Sequence, residues 1–192
     1  MNTGLRRWFW VQLANWCHVF RQRETALRFF GFALRAAPDD PRILASMGYE
    51  LLQAGRKREA LAMFDRVVAG RPDWAEVQFG RGLLLQEGND HKAALAAFDA
   101  ALAANPDHDR ALYGKALSLI ALQRKDEAVA PLERNTKLQP MSPYGWYQLA
   151  RVQFDRGKPD KARAIIDHLA TFEPNVAAQL ARETGLPAPP RP

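Results

Sequence analysis

AALAAFDAALAANP, residues 93–106, decides the fold. Ala94, Phe98 and Ala101 stand four and then three residues apart, which sets them on one side of an α-helix, and Pro106 ends it. The figure recurs 34 residues upstream in EALAMFDRVVAGRP, residues 59–72, with Ala60, Phe64, Val67 and Pro72. Outward from these two stretches, Pro38, Pro72, Pro106, Pro140 and Pro174 follow one another at a constant step of 34. Eight residues before each proline stand Phe30, Phe64, Phe98, Leu132 and Ile166, and twelve before stand Ala26, Ala60, Ala94, Ala128 and Ala162. Such self-similarity is what a stack of helix-turn-helix units produces when no unit can bury its apolar face alone.

Further back in each unit the register holds Trp10, Leu13 and Ala14, then Leu44, Met47 and Gly48, and in the last unit Trp146, Leu149 and Ala150. Together with the small, aromatic and proline positions, this pattern resembles the tetratricopeptide repeat family over residues 7–176. The resemblance implies an all-α, right-handed superhelical solenoid of five repeats, at 7–40, 41–74, 75–108, 109–142 and 143–176, each made of a helix A and a helix B. An N-terminal extension at 1–6, a capping helix at 177–185 and a disordered Pro-rich tail at 186–192 complete the expected domain plan. Members of this family are mostly binding scaffolds with unrelated partners, so the resemblance speaks for fold and little for chemistry.

Local signals agree with these frames. Asp40 before Pro41 and Ser142 before Pro143 each place an N-cap oxygen ahead of a proline at the first helical position. Gly55, Gly88 and Gly157 lie at or beside the A-to-B turn, where a left-handed residue is needed. The prolines of the 34-step close the B helices. Small residues at the alanine position let A and B approach closely, so a large side chain at Ala94 or Ala128 overpacks the crossing. In the fourth repeat Pro131 falls inside helix B and Asn135 replaces an apolar residue one turn later, which predicts a kink. The C-terminal run ends at Gly185 and keeps Gln179, Arg182 and Glu183 on a polar outer side, as a solenoid cap requires.

The chain has 192 residues, an apolar fraction of 47% and a formal charge of +6. Residues 1–36 hold Arg6, Arg7, Arg21, Arg23, Arg28 and Arg35 against Glu24 alone, so nearly all of that surplus lies at the N-terminal end of the chain. Cys17, the single cysteine, takes the place that Leu51, Leu85 and Leu119 occupy later and reads as a small buried core residue; it implies no oxidising compartment. Gln12, Asn15 and His18 interrupt any signal-peptide core, and no segment is long and apolar enough to span a bilayer. The expected location is cytoplasmic, with peripheral membrane contact as an alternative.

The family resemblance places the concave surface at the second, fifth, ninth and twelfth residues of each repeat. The candidate groove is therefore Arg42, Tyr49, Phe79, Leu83, Arg110, Tyr113, Leu117, Tyr147 and Arg151, aromatic in its middle and flanked by arginine. This suits an apolar helix or an extended peptide, and it lacks the lysine and asparagine set of a chaperone-type carboxylate clamp. The competing reading buries part of this row between neighbouring A helices. A second candidate surface is the first repeat, where Arg6, Arg7, Trp8, Trp16, Phe29 and Phe32 put cationic and aromatic groups together. Phe32 stands where later repeats hold Arg66, Ala100, Arg134 and His168. That repeat docks on a partner protein or a second copy, lies on an anionic membrane, or packs its aromatics inward.

Catalysis finds no support in the sequence. His18, His91, His108 and His168 fall at unrelated repeat places with no metal-ligand spacing, and neither a phosphate loop nor a nucleophile motif is present. Asp126 and Glu127 open a helix, where they counter its dipole in solvent. No cofactor or metal is expected. A one-base-per-repeat RNA code needs polar side chains in register, and the fifth and ninth places are mainly apolar, so nucleic acid is disfavoured. The expected function is a non-catalytic adaptor that binds a partner polypeptide during assembly of a larger complex. A membrane-associated scaffold and a chaperone of secreted proteins are the alternatives.

Overall fold

The structure, a computed structural model, describes residues 3–187. Its described residues form eleven helices: α1 (Thr3–Val19), α2 (Arg23–Ala36), α3 (Pro41–Gln53), α4 (Lys57–Gly70), α5 (Ala75–Glu87), α6 (His91–Ala104), α7 (Asp109–Ala121), α8 (Lys125–Leu138), α9 (Pro143–Asp155), α10 (Pro159–Ala170) and α11 (Pro174–Thr184). They pair as consecutive A/B hairpins, and each B helix packs on the A helix that follows. The result is an all-α tetratricopeptide solenoid.

The core repeats with the sequence. Ala26, Ala60, Ala94, Ala128 and Ala162 are fully buried where A and B cross, and Phe30, Phe64, Phe98, Leu132 and Ile166 follow one turn later with no more than 2% exposure. Glycines make room for the two largest of these wedges in the middle of the stack. A Cβ on Gly48 would come within 2.5 Å of the Phe64 ring and one on Gly80 within 3.0 Å. For Phe98 both Gly82 and Gly114 would close to 2.6 Å. Each ring is thus clamped between its own A helix and the next one. Where Leu132 and Ile166 are slimmer, their own A helices carry Ala116 and Ala150 instead of glycine.

Turn geometry is equally periodic. Arg21, Gly55, Asn89, Gln123 and Gly157, spaced by 34, all take a left-handed φ between 57° and 76°. In the third repeat the left-handed residue is therefore Asn89, next to the glycine that the sequence suggests, and Gly88 has an ordinary φ of −80°.

Ion pairs between elements recur in register too. Arg81–Asp65 and Lys115–Asp99 are both 2.6 Å, Lys57–Glu87 and Lys125–Asp155 are 3.1 and 2.8 Å, and Arg66–Asp39 and Arg134–Asp107 are 2.9 and 2.7 Å. Being solvent-facing, each is worth about 0–1 kcal/mol.

Several local expectations change. Residues 3–6 belong to α1 and are not an extension separate from it. Asp40 caps α3 by accepting from the backbone N–H of Arg42 and Ile43, but the Ser142 side chain makes no such bond to α9. Pro174 opens α11 instead of closing α10, so the capping helix starts there and not at residue 177; Gly185, with φ 68°, ends it. Helix α8 runs unbroken through Pro131. Asn135, at 6% exposure, donates to the Asp109 carbonyl at 2.8 Å and sits where a Cβ on Gly145 would collide with its Oδ1, so it links α7, α8 and α9. Cys17 is only half-buried. The Pro-rich tail expected at 186–192 lies outside the described residues from 188 onward.

Candidate functional site

The A helices line one continuous groove. Four cavities follow one another along it, of about 430, 450, 270 and 260 Å³. Tyr49 and Gln53 border the first and second, Phe79, Leu83 and Arg110 the second and third, Tyr113 and Tyr144 the third and fourth. Aromatic side chains thus act as partitions between compartments, spaced by one repeat. Leu117 and Gln86 complete the wall of the third.

Packing sets each partition. Phe79 is 5% exposed and wedges against Phe98 and His108, with ring centroids 6.2 and 4.8 Å away. The Arg110 guanidinium covers it 4.5 Å from the ring centre, leaving its charge at the cavity edge. His108, itself buried, caps α7 by accepting from the Ala111 N–H, and its other ring nitrogen lies 3.4 Å from Glu76. Tyr49 stacks edge-on against Phe64, and burial together with the nearby Glu76 carboxylate pushes its hydroxyl up to about 12. Burial likewise raises Tyr113. Gln86 of α5 spans to α7, donating to the Gly114 carbonyl and the Ser118 hydroxyl, which ties its amide into the wall of the third compartment.

The structure separates the groove residues into three groups. Tyr49, Phe79, Leu83, Arg110, Tyr113 and Leu117 come together along the middle compartments. Tyr147 and Arg151 do not project freely, because the capping helix reaches them: Tyr147 donates to Glu183, Arg151 lies 3.4 Å from the Tyr147 hydroxyl, and Glu183 is held low while Tyr147 is raised. Tyr147 still forms a wall of the last cavity. Arg42 stands exposed at the start of α3 and borders none of these four cavities. The reading that buries part of this row holds for Phe79, whereas Tyr144 is 69% exposed. Tyr144 occupies the second place of its repeat, as Arg42 and Arg110 do in theirs, so its position in the repeat is the signal that marks it.

One further polar feature lies at the groove's first compartment. Glu50, 4% exposed, meets the Nδ1 of His18, and its second carboxylate oxygen is buried without a hydrogen-bond partner.

In the first repeat the aromatics divide. Phe29 and Phe32 turn inward onto Trp10, at centroid distances of 5.7 and 4.9 Å, and Arg35 covers Phe32 at 4.9 Å. Phe29 and Phe32 are thus half-buried, which matches the alternative in which the aromatics of this repeat pack inward. Arg7 is held by Asp40 at 3.1 Å. Trp8 and Trp16 stay exposed, and Arg6 borders a cavity of about 370 Å³ together with Trp10 and Phe32.

Among the described residues no helix is long and apolar enough to cross a membrane, and no three His, Cys, Asp or Glu side chains converge as metal ligands.

No curated protein sequence matches the chain. Solved structures do. The MamA protein, residues 41 to the end, from Desulfovibrio magneticus RS-1 superposes with a TM-score of 0.80 at 22% identity, covering 95% of this chain and 98% of that one. YrrB, described as a TPR protein with an unusual peptide-binding site, gives 0.81 at 19% identity over 92% of this chain and 90% of its own. A tetratricopeptide repeat protein from Parabacteroides merdae gives 0.83 at 21% identity over 95% of this chain and 75% of its own. At these identities the likeness is one of fold. Sequence signatures of the tetratricopeptide repeat match residues 45–97, 79–135 and 143–168, more than half of the chain, so the protein belongs to the tetratricopeptide repeat family.

Proposed function

We propose that the chain is a non-catalytic scaffold that holds a segment of a partner protein in its concave groove during assembly of a larger complex. The observation that carries this reading is the run of four joined cavities walled by Tyr49, Phe79, Tyr113 and Tyr144. Compartments one repeat apart accept successive apolar side chains of a helix or extended peptide, and Arg110 at the shared edge of two of them favours a carboxylate next to such an anchor. YrrB, of the same fold, is described as having a peptide-binding site, which agrees with this assignment.

The test uses side chains that are not needed for folding. A panel of peptides with one aromatic or leucine anchor, with and without a neighbouring Asp, is titrated against the protein and its Tyr144→Ala and Arg110→Ala variants. Binding falls by about tenfold or more in Tyr144→Ala, and Arg110→Ala removes the preference for the acidic peptide. Peptides that bind both variants as they bind the parent protein place the site elsewhere and defeat the assignment.

A further inference from the structure

Helix α1 has two apolar faces. One centres on the fully buried Ala14 and belongs to the core. The opposite one is formed by Leu5, Trp8, Phe9, Trp16 and Val19, at helical spacing, and continues in Phe20 just past the helix end; all six are exposed, Trp16 to 63% and Phe20 to 64%. A stripe of this size is not left on a surface without use.

The repeat register says what the stripe is built to meet. Phe9, Gln12 and Trp16 are the third, sixth and tenth residues of their repeat. In later repeats the third place holds Ile43, Val77, Ala111 and Gly145, and the tenth holds Glu50, Leu84, Ser118 and Val152, all of them buried. The glycine geometry shows which neighbour buries this side: Gly80 faces Phe64 of α4, Gly114 faces Phe98 of α6, and Gly145 faces Asn135 of α8. In each case that neighbour is the B helix of the preceding repeat. The outer stripe of α1 is therefore half of a repeat-to-repeat seam.

Charge selects among occupants. Helix α1 contains no carboxylate, and Arg6 beside Leu5 and Arg21 and Arg23 just beyond Phe20 take part in no ion pair among the described residues. The three carboxylates of the repeat are already engaged: Glu24 faces Arg56, Asp39 faces Arg66 and Asp40 faces Arg7. Two copies meeting through α1 in antiparallel fashion would oppose Arg6 to Arg21 and Arg23 with nothing to neutralise them. A bilayer would have to take Gln12, at the centre of the stripe, into hydrocarbon without a partner. A helix seam accepts a polar or small residue there, since the same place inside the stack holds Ser46, Gly80, Gly114 and the half-buried Gln148.

We infer that the outer face of α1 binds an amphipathic α-helix of a partner protein, apolar on one side and acidic at its flanks, seated as the second helix of a preceding repeat would be. The inference rests on the reading of the chain as a scaffold but not on its groove.

The probe is a helix-stabilised peptide carrying the apolar pattern of α6, with alanine, phenylalanine and alanine at its register and glutamate at the outer positions; a lysine version is the control. Anisotropy of the labelled peptide is followed with the parent protein, with Trp16→Asp and Trp8→Asp, and with the groove variant Tyr144→Ala. Because Trp8 and Trp16 are exposed, circular dichroism of both variants should match the parent. The acidic peptide binds, the basic one is weaker by about tenfold, both tryptophan variants lose about tenfold or more, and Tyr144→Ala leaves binding unchanged. Failure of the acidic peptide to bind, or equal binding of both peptides, overturns the inference. So does a dimer, or attachment to anionic vesicles, that Trp16→Asp abolishes and the peptide does not displace. Because the groove variants and the α1 variants are read separately, loss of one site leaves the other standing.

Discussion

Gly82 and Gly114 hold the Phe98 ring from two sides at a separation that no side chain tolerates. Neither glycine has a positive φ, so each is there for close approach and not for backbone freedom. Gly82→Ala gains about 1 kcal/mol of helix propensity and costs about 1–3 kcal/mol of overpacking against a ring fixed by its other neighbours. The expected outcome in urea unfolding is a net loss of up to about 2 kcal/mol. Gly31→Ala, with nothing within 4 Å of its Cβ, is the control and stabilises. A Gly82→Ala protein stabilised as much as Gly31→Ala would show that the ring is not clamped. At the turns, Gln123 is forced into a left-handed conformation at φ 61° where two other repeats use glycine. Relief of about 1–2 kcal/mol of strain outweighs glycine's larger entropy cost, so Gln123→Gly raises stability by about 0.5–1 kcal/mol, measured by the same method. The alanine, aromatic and proline places were legible in the sequence because each is required in every repeat. The clamp was not, since Gly48 and Gly80 differ from an ordinary small residue only in what packs over them.

Helix α8 concentrates the irregularities. Pro131 lacks an N–H and crowds the Glu127 carbonyl, yet the helix continues because Pro131 and Leu132 are buried against neighbouring helices. Packing outweighs the local penalty. Pro131→Ala restores that hydrogen bond, removing about 3 kcal/mol of helix penalty against about 1–2 kcal/mol of lost burial, and raises the denaturation midpoint. A lower midpoint would mean that the ring, and not the missing bond, dominates. The sequence marked Pro131 and Asn135 as departures from the repeat. That Asn135 spans to the Asp109 carbonyl depends on how three helices meet, which no single-helix pattern encodes. The capping helix is a similar case. Its polar outer side could be read, but its grip on Tyr147 through Glu183 joins residues 36 apart in sequence across the fold.

In the whole molecule each repeat touches little beyond its neighbours, so stability is close to a sum of repeat and seam contributions. Middle repeats have two seams and the first has one, with its second face open at Trp8 and Trp16. Hydrogen exchange should therefore be graded: amides of α1, α2 and α11 exchange first and those of α5 to α8 last. Uniform protection along the chain would mean a single cooperative unit, in which the open face of α1 does not weaken its repeat. A partner helix on α1 should slow exchange in α1 and α2 before any other element, whereas a groove peptide should protect α5 and α7.

The sequence by itself determined the fold, its period and the helix pairs, because a 34-residue repeat with a recurring small–aromatic–proline register admits few ways of burying its faces. It also marked the first repeat as unusually aromatic and basic. Only the tertiary structure decided which aromatics are spent on packing and which remain outside: Phe29 and Phe32 fold onto Trp10, Trp8 and Trp16 do not, and Tyr144 is exposed where Tyr147 is engaged by the cap. The physical reason is that exposure belongs to contacts between helices distant in sequence, while periodicity reports only which face of its own helix a residue occupies.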